Sequence, residues 1–398
     1  MREGWREARL GDVAAVSSTA VPLSSVTLPY IGLEHFDSGS PAIVRSALSS
    51  DMSGSGILVQ PGDVLFSKLR PYLNKVAVAH ETAVCSTEVL VWRPKLDTGI
   101  SKAFLSLVLR SKESIDFANR SSKGTKMPRT SATAMVALPI ALPPLSEQYR
   151  IVDLMTSVDT AIAAAEAEAT AGRSSYMAHL TAEFTSGASF APLGAALSRS
   201  EDRTRVEPDA TYRLVGVLRS GEGFIDRGVE AGENIGYSTL TRVRENQLVY
   251  RKLTAWEGPI SVSTQNEDGG FVSSEFPVFE VDSSRLLPDL LRHYCRWPGL
   301  WSLMQQRLKG SVLRRMRLNA DQLEAIAVPM PGLTAQETSL RLLDSQWEHV
   351  ATAHATAEAL RTLRSNLLTV LLSGEHEIPE SYDHLLNLDD EDDKGAAA

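Results

Sequence analysis

The chain has 398 residues, 43% of them hydrophobic and 22% charged, and its 40 lysines and arginines against 49 aspartates and glutamates give a formal net charge of −9. This length predicts two to three domains with cores of their own, and this composition excludes an intrinsically disordered chain. Every apolar run falls short of the roughly 20 residues that span a bilayer, and the N-terminus has no apolar signal region, so we expect a cytoplasmic protein without a membrane span.

An internal repeat organises the chain. Short matches recur in the same order at offsets that drift from 183 to 187 residues: Leu10-Gly11 with Leu193-Gly194, Lys68-Leu69 with Lys252-Leu253, Ser86-Thr87-Glu88 with Ser273-Ser274-Glu275, and Ser186-Gly187 with Ser373-Gly374. Matches that keep both order and offset indicate the duplication of one structural unit.

Each repeat begins with a mixed globular part. In the first repeat, residues 62–69 follow turn residues and are typical of a strand, and residues 101–117 have a helical pattern. In the second repeat, residues 247–253 and 286–308 have the same character. We therefore predict two α/β domains, at residues 1–145 and 188–332.

A long helix follows each globular part. Ser146 with Glu147 after Pro143-Pro144, and Thr334 with Glu337 after Pro331-Gly332, are helix start signals, and Gly187 and Gly374 are stop signals. Helices at 146–187 and 333–374 would each be about 60 Å long at 1.5 Å per residue. Their apolar residues are spaced by three and four: Ile151, Leu154, Val158, Ala161 and Ala165, and then Leu340, Leu343, Trp347, Val350, His354 and Ala357.

Each long helix can bury its apolar residues against the other long helix. We predict an α+β fold in which they form an antiparallel coiled coil that separates the two globular parts, which are related by a pseudo-twofold axis. The alternative is that each helix belongs to a separate helix-bundle core. The acidic segment 375–398, which contains Asp389 to Asp393, is predicted to be disordered.

The negative charge is unevenly distributed. The formal charge is +4 for residues 1–145 and 0 for 191–328, but −4 for 146–190 and −9 for 329–398. An acidic total therefore does not exclude a nucleic-acid ligand, because phosphate binding depends on local basic groups.

Basic residues cluster at matched places in the two globular parts. One cluster lies at the predicted strand and its following turn: Lys68, Arg70 and Lys75, then Arg251 and Lys252. The other precedes the proline-marked helix start: Arg120, Lys123, Lys126 and Arg129, then Arg307, Lys309, Arg314, Arg315 and Arg317. Arginine can read guanine edges and both residue types bind phosphates, so we predict these positions to bind DNA.

The helix start resembles a known family. Residues 142–152, Leu-Pro-Pro-Leu-Ser-Glu-Gln-Tyr-Arg-Ile-Val, are similar to the signature of type I restriction-modification specificity subunits, and Trp5, Leu10-Gly11-Asp12-Val13 and Gly124-Thr125 add to the likeness. The second repeat departs from the signature, because Leu333-Thr334-Ala335-Gln336-Glu337 displaces the acid and the amide.

The resemblance implies two target-recognition domains that each read one half of a split sequence in double-stranded DNA. It also implies helices that act as a ruler and dock two methylation subunits, with restriction or translocase subunits as further partners. The residues that this resemblance assigns to partner binding are Glu147, Gln148, Arg150, Ile151, Gln336 and Glu337. S-adenosylmethionine is expected in the methylation subunits, and this chain is expected to bind no cofactor of its own.

Enzyme motifs are missing from the sequence. It has no phosphate-binding loop, no His-Glu-x-x-His and no methyltransferase tetrapeptide, so we predict a chain without catalytic residues. Asp63, Glu88 and Lys68 could form a nuclease-like set, but a strand-initiating acid, a capping acid and a surface lysine are the favoured interpretation. The eight histidines lack ligand spacing, and the two cysteines, Cys85 and Cys295, are too few for a zinc site, so no metal is predicted.

Two other functions stay open at this stage. The chain could be an autonomous DNA-binding regulator without an enzyme partner, which the absence of neighbouring methyltransferase and translocase genes would favour. It could also be a coiled-coil adaptor without a DNA role. A mobility shift at varied salt separates this last case, because DNA binding has a steep salt dependence.

Overall fold

The computed structural model describes residues 4–39, 43, 46–185, 189–308 and 316–385. The chain divides into two compact units: unit 1 consists of Met1–Ala165 and Thr356–Ala398, and unit 2 of Glu166–Ala355. Each unit therefore contains one globular part together with segments of both long helices.

The globular part of unit 1 is built from short strands and helices. Its strands are β1 (Arg6–Arg9), β2 (Ala14–Ser17), β3 (Ala20–Pro22), β4 (Pro29–Ile31), β5 (Ala47–Leu48), β6 (Ser55–Val59), β7 (Val64–Ser67), β8 (Val76–Val78), β9 (Ala83–Cys85), β10 (Val89–Pro94) and β11 (Pro139–Leu142). Its helices are α1 (Leu10–Val13), α2 (Lys102–Arg110), α3 (Lys112–Arg120) and α4 (Ala132–Met135), and the long helix α5 (Leu145–Glu183) follows.

Three sheets share these strands. β1 pairs with β11, a four-stranded sheet has the order β2-β10-β7-β8, and a five-stranded sheet has the order β3-β6-β9-β4-β5. The predicted strand at residues 62–69 is confirmed as β7, all four residues of which are buried. The predicted helix at 101–117 is interrupted at Ser111, because the Ser111 side chain accepts a hydrogen bond from Ser114 N at 3.2 Å and so caps a new helix.

The globular part of unit 2 repeats this plan. Its strands are β12 (Phe190–Pro192), β13 (Leu197–Arg199), β14 (Arg203–Arg205), β15 (Thr211–Val217), β16 (Phe224–Ala231), β17 (Thr239–Arg242), β18 (Gln247–Tyr250), β19 (Ile260–Val262), β20 (Phe271–Val272), β21 (Val278–Val281) and β22 (Ala327–Pro329). Its helices are α6 (Pro288–Cys295), α7 (Pro298–Gln306) and α8 (Ala320–Glu324), and the long helix α9 (Leu333–Leu372) follows.

The strand orders of unit 2 match those of unit 1 sheet by sheet: β12-β22, β13-β21-β18-β19 and β14-β17-β20-β15-β16. The predicted helix at 286–308 is split at Pro298, which has no N–H to continue α6 and occupies the first turn of α7. The duplication inferred from sequence is therefore also a duplication of topology.

Both long helices are continuous, and they pack against each other in antiparallel directions. In unit 2, Glu183 accepts a hydrogen bond from Ser339 at 2.7 Å, and Gln346 lies 2.9 Å from His179. In unit 1, Asp159 binds Arg364. The predicted fold class, two mixed α/β parts with a long antiparallel helix pair, is confirmed, and the pseudo-twofold relation between the repeats stays a prediction.

The buried seam of the helix pair differs by one residue from the predicted stripe at three places. Met155 and Ile162 are buried where Leu154 and Ala161 were predicted, and Ala353 is buried where His354 was predicted. His354 is exposed. Spacings of three and of four residues both fit an apolar helix face. Packing against the other long helix therefore decides which of two adjacent residues is buried.

The segment after α9 corrects another expectation. We predicted disorder from residue 375, but residues 375–385 pack on unit 1, where Ile378 is 4% exposed in the core and residues 380–385 form a 3-10 turn. Two apolar side chains, Ile378 and Tyr382, pack in or against the core. Their burial stabilises this segment despite its acidic composition. The acidic run 389–393, the predicted stop at Gly187 and the first three residues lie outside the described residues.

Within the ranges given above, no helix is both long and apolar enough to cross a membrane.

Candidate nucleic-acid interface

The two predicted basic clusters of unit 1 come together in the structure. The loop at residues 121–130 lies along the end of β7, where Thr130 N donates to Lys68 O at 3.1 Å and Arg70 N donates to Pro128 O at 2.8 Å. Arg70 has a φ of 50°, which turns the chain sharply at this contact. We call the resulting surface the unit 1 basic surface: Lys68, Arg70, Arg120, Lys123, Lys126 and Arg129.

The side chains of this surface are accessible to a ligand. Arg70, Arg120, Lys123, Lys126 and Arg129 are exposed, and Lys68 is half-buried. Charges held on a loop outside the core can neutralise phosphates at little desolvation cost.

Unit 2 holds its loop in the same way. Leu318 N donates to Lys252 O at 3.1 Å, and Leu253 forms an isolated β-bridge with Arg317. Arg307 is exposed after α7, and Arg317 is exposed at the bridge. Three further predicted residues of this loop, Lys309, Arg314 and Arg315, lie outside the described residues.

A carboxylate fixes the end of each basic loop. Glu88 binds Arg129 at 3.0 Å in unit 1, and Glu275 binds Arg317 at 3.1 Å in unit 2. Lys68 N and Lys252 N donate to the carbonyl oxygens of these same glutamates, both at 2.9 Å. In each pair the arginine is about half exposed and the glutamate about a third exposed, so the contribution of the pair to stability is small and its main effect is to orient the arginine.

Three predicted DNA-binding side chains are hydrogen-bonded to other residues of the chain. Lys75 Nζ donates to Leu33 O at 2.6 Å, and Lys252 Nζ donates to Ser274 O at 2.7 Å. Arg251 donates to Leu253 O at 3.0 Å and pairs with Glu257 at 3.1 Å. These contacts hold loops in place, which sequence clustering could not distinguish from ligand contacts.

Unit 2 also contains a groove of about 710 Å³ next to its basic loop. Its lining includes polar side chains from separated segments: Arg227, Asn234, Tyr237, Glu275 and Arg317. Glu275 Oε2 has no hydrogen-bond partner among the described residues, although it is shielded from solvent. Arginine, asparagine and carboxylate groups are the donors and acceptors that read base edges.

Sequence reasoning missed Arg227, Asn234 and Tyr237. They lie in or near the hairpin of β15 and β16, outside the two basic clusters. A charge count gives no signal for them, because only folding brings these segments to one groove.

The residues assigned to partner binding hold the long helices to the globular parts. Gln148 Oε1 accepts from Ser101 N at 2.9 Å, and its Nε2 donates to Gly99 O and Pro143 O. Gln336 repeats this set with Leu287 N, Arg285 O and Pro331 O. Both glutamine side chains are 0% exposed, so in this conformation they offer no surface to a partner.

The other residues of this group have different surroundings. Trp5 Nε1 donates to Glu147 at 2.8 Å, and Ile151 lies in the core of unit 1. Arg150 donates to both carboxylate oxygens of Asp383, at 2.5 and 2.8 Å, which raises the pKa of Arg150 and lowers that of Asp383. Glu337 is exposed, and its predicted role stays a prediction.

The acids of the nuclease-like set have structural partners. Asp63 is 2% exposed and accepts two hydrogen bonds from Arg93, both at 2.7 Å, which raises the pKa of Arg93. Within the described ranges, no three histidine, cysteine or acidic side chains form a group that could hold a metal ion. Cys85 and Cys295 are buried free thiols, and burial raises the pKa of each to about 12.

The sequence is similar to that of known proteins. A protein-family model described as the type I restriction modification DNA specificity domain matches residues 2–170. The specificity subunit of the EcoDI type I restriction enzyme of Escherichia coli is 26% identical over 151 residues, which is 37% of this chain and 33% of that protein. Residues 2–170 are therefore similar to the type I DNA specificity domain.

Solved structures are similar in fold to nearly the whole length of this chain. A chain from a structure on the assembly and conformational transition of the type I R-M system has a TM-score of 0.61 and 18% identity, over 94% of this chain and 98% of that one. The type I S subunit from M. genitalium has a TM-score of 0.57 and 12% identity, over 92% and 96%. At these identities the likeness concerns the fold, and the sequence match spans about a third of the curated relative.

Proposed function

We propose that this chain is the specificity subunit of a type I restriction-modification complex and that each of its two units reads one half of a bipartite site in double-stranded DNA. The observation that carries this proposal is the repeated basic loop. Both units hold such a loop at the same strand end through the same backbone bond, Thr130 N to Lys68 O and Leu318 N to Lys252 O. Similar loops with different side chains suit two different half-sites.

The chain itself does no chemistry in this proposal. The two acids of the nuclease-like set are bound to Arg93 and Arg129, which supports a structural role for them. Two methylation subunits would supply S-adenosylmethionine and the transfer of the methyl group, restriction or translocase subunits would join them, and the complex would act on DNA in the cytoplasm.

Mapping methylated adenines in the host genome, with and without this gene, tests the main claim. We expect one bipartite motif to lose methylation when the gene is deleted and to regain it when the gene is restored. An unchanged set of methylated sites would refute the proposal.

The basic surface can be tested on the motif found in this way. Replacing both Lys123 and Lys126 by alanine should weaken binding and reduce the slope of log affinity against log salt by about 0.9 for each phosphate that the protein no longer neutralises. Arg361, which lies on α9 and is about half exposed, provides a matched control through Arg361→Ala. Equal losses of affinity for the control and the double variant would argue against a DNA role for this loop.

We further propose that the length of the helix pair sets the spacing between the half-sites. Inserting one heptad into each long helix, at matched places in the alanine-rich stretches, adds about 10 Å. The gap should then lengthen by about three base pairs at 3.4 Å per pair, with both half-sites unchanged. A motif with the original gap would disprove the ruler.

A further inference from the structure

Unit 1 has a cavity of about 220 Å³ beside the C-terminal end of α9. Its lining includes Val108, Ser111, Glu113, Ile140, Thr369 and Leu372. Val108 and Ile140 belong to the core of unit 1, so the cavity opens directly onto apolar packing.

The repeat shows what fills the same place in unit 2. Ser111 is the N-cap of α3 and Trp297 is the N-cap of α7, so these two residues are equivalent. Gln148 of α5 and Gln336 of α9 make matching hydrogen bonds and are therefore equivalent positions of the two repeats. In the alignment of α5 with α9 that follows, Thr369 is equivalent to Thr181 and Leu372 is equivalent to Phe184.

Aromatic rings occupy this place in unit 2. Phe184 stacks on Trp297 with ring centroids 3.9 Å apart, and it meets Tyr294 edge-on at 4.9 Å. Trp297 Nε1 donates to Thr181 Oγ1 at 3.1 Å. In unit 1 the equivalent positions carry Leu372, Ser111 and Val108, which are all smaller, so space that rings fill in one unit is open in the other.

One sequence difference between the units restricts where an aromatic ring can lie in the unit 1 cavity. A Cβ atom at Gly299 would lie 2.2 Å from the ring of Trp297, and the equivalent residue of unit 1 is Glu113. A ring in the unit 1 cavity must therefore lie towards Thr369 and Leu372 rather than over Glu113.

We propose that this cavity binds an aromatic side chain of a partner polypeptide, with the polypeptide extended along β11. Pro139, Ile140 and Ala141 of β11 line the cavity, and among the described residues β11 is paired on one edge only, with β1. An open strand edge supplies main-chain hydrogen bonds for an added strand. Aromatic side chains are the usual anchors of protein interfaces because they bury a large area in one pocket.

The test uses the full chain and short peptides observed by ligand-detected NMR. The probes are N-acetyl-Val-Phe-Val-amide, N-acetyl-Val-Ala-Val-amide, N-acetylphenylalaninamide and p-cresol. We expect the Phe tripeptide to bind with a Kd at least tenfold below that of the single amide, and the Ala tripeptide to give no signal. Equal binding of p-cresol and the Phe tripeptide would identify a site for free aromatic compounds and overturn the polypeptide assignment.

Filling the cavity provides the decisive comparison. Ser111→Trp combined with Glu113→Gly recreates the unit 2 arrangement, and we expect it to abolish peptide binding. Leu372→Phe is a second filling variant that keeps the Ser111 cap, and exposed Ser157→Trp is the control. Retained binding in a folded filled variant would overturn the proposal, and DNA binding by the same proteins reports separately on the proposed function.

Discussion

In each unit, an arginine of the globular part packs against the helix pair, and the two arginines have different contacts. In unit 1, Arg110 at the end of α2 is 5% exposed and lies 3.7 Å from Asp159, which also binds Arg364. In unit 2, Arg296 follows α6 and lies 4.0 Å above the ring of Trp347, which is the equivalent of Asp159. Tyr176 of unit 2 is the equivalent of Arg364 of unit 1 in the same alignment of the two helices.

The difference shows two solutions to one packing problem. Burial and the neighbouring Arg364 charge lower the pKa of Arg110 to about 10, even though Asp159 acts in the opposite direction. In unit 2 the aromatic face takes the place of the carboxylate, and a hydrogen-bonded row of Tyr176, His293 and Asp344 completes the contact, with both distances 2.8 Å. A duplicated fold can therefore keep its geometry while it exchanges ionic for aromatic contacts.

Removing the central ring of unit 2 should have the largest effect. Tyr176 is 0% exposed and its ring lies 5.3 Å from that of Trp347, so Tyr176→Ala should destabilise unit 2 by about 3–5 kcal/mol. Hydrogen exchange of peptides from both units measures this, and Tyr72→Ala, at a side chain that is 55% exposed, is the control. An equal loss of protection in unit 1 would show that the two junctions are not independent.

Neutralising the ionic junction should have the next largest effect. Asp159→Asn leaves Arg110 and Arg364 facing each other, and we expect a loss of about 2–4 kcal/mol in unit 1, less than for a fully buried pair because Asp159 is 29% exposed. Asp116→Asn, which removes an exposed ion pair with Lys112, should cost little. Exchange protection that falls first in unit 2 would contradict this assignment.

Mild acid should separate the two junctions without a mutation. Burial lowers the pKa of His293 below its ordinary 6.5 against the opposing effect of Asp344, with Arg296 and Arg292 lowering it further. The unfolded chain then binds the proton more readily, so this contribution to stability is full above pH 6.5 and is lost as the pH falls towards the folded pKa. Unit 2 should lose exchange protection between pH 7.5 and 5.5, and a His293→Asn variant should lose this pH dependence.

The contact of the C-terminal segment should give the smallest effect. Arg150→Ala removes the ion pair with Asp383, whose side chain is 48% exposed, so we expect faster proteolysis at residues 375–385 with little change in global unfolding. The equivalent residue of α9 is Thr338, and Thr338→Ala should leave cleavage unchanged. The same cleavage rate for Arg150→Ala and the unaltered protein would mean that the ion pair does not hold the segment in place.

The sequence predicted several of these features because they depend on local patterns. Proline and capping residues mark the start of each long helix, and α5 begins at Leu145 and α9 at Leu333. Matched basic clusters pointed to the loops that Lys68 and Lys252 hold. The seam of the helix pair was predicted one residue away at Leu154 and Ala161, because two adjacent apolar residues satisfy the same period.

Other features depend on contacts between distant segments. The burial of Gln148 and Gln336 was not predictable, since a glutamine in a helix start signal gives no sign of the loop carbonyl oxygens that it will meet. The groove with Arg227 and Asn234 has the same origin. So does the order of residues 375–385, where Ile378 finds a core that the acidic composition did not reveal.

The sequence by itself determined the duplication, the mixed globular parts and the two long helices, because repeat offsets, caps and apolar periods act over short stretches of chain. Tertiary structure alone decided which arginine meets a carboxylate and which a ring, and which basic side chains stay exposed. Those outcomes depend on the desolvation and partners of each group, and folding supplies both.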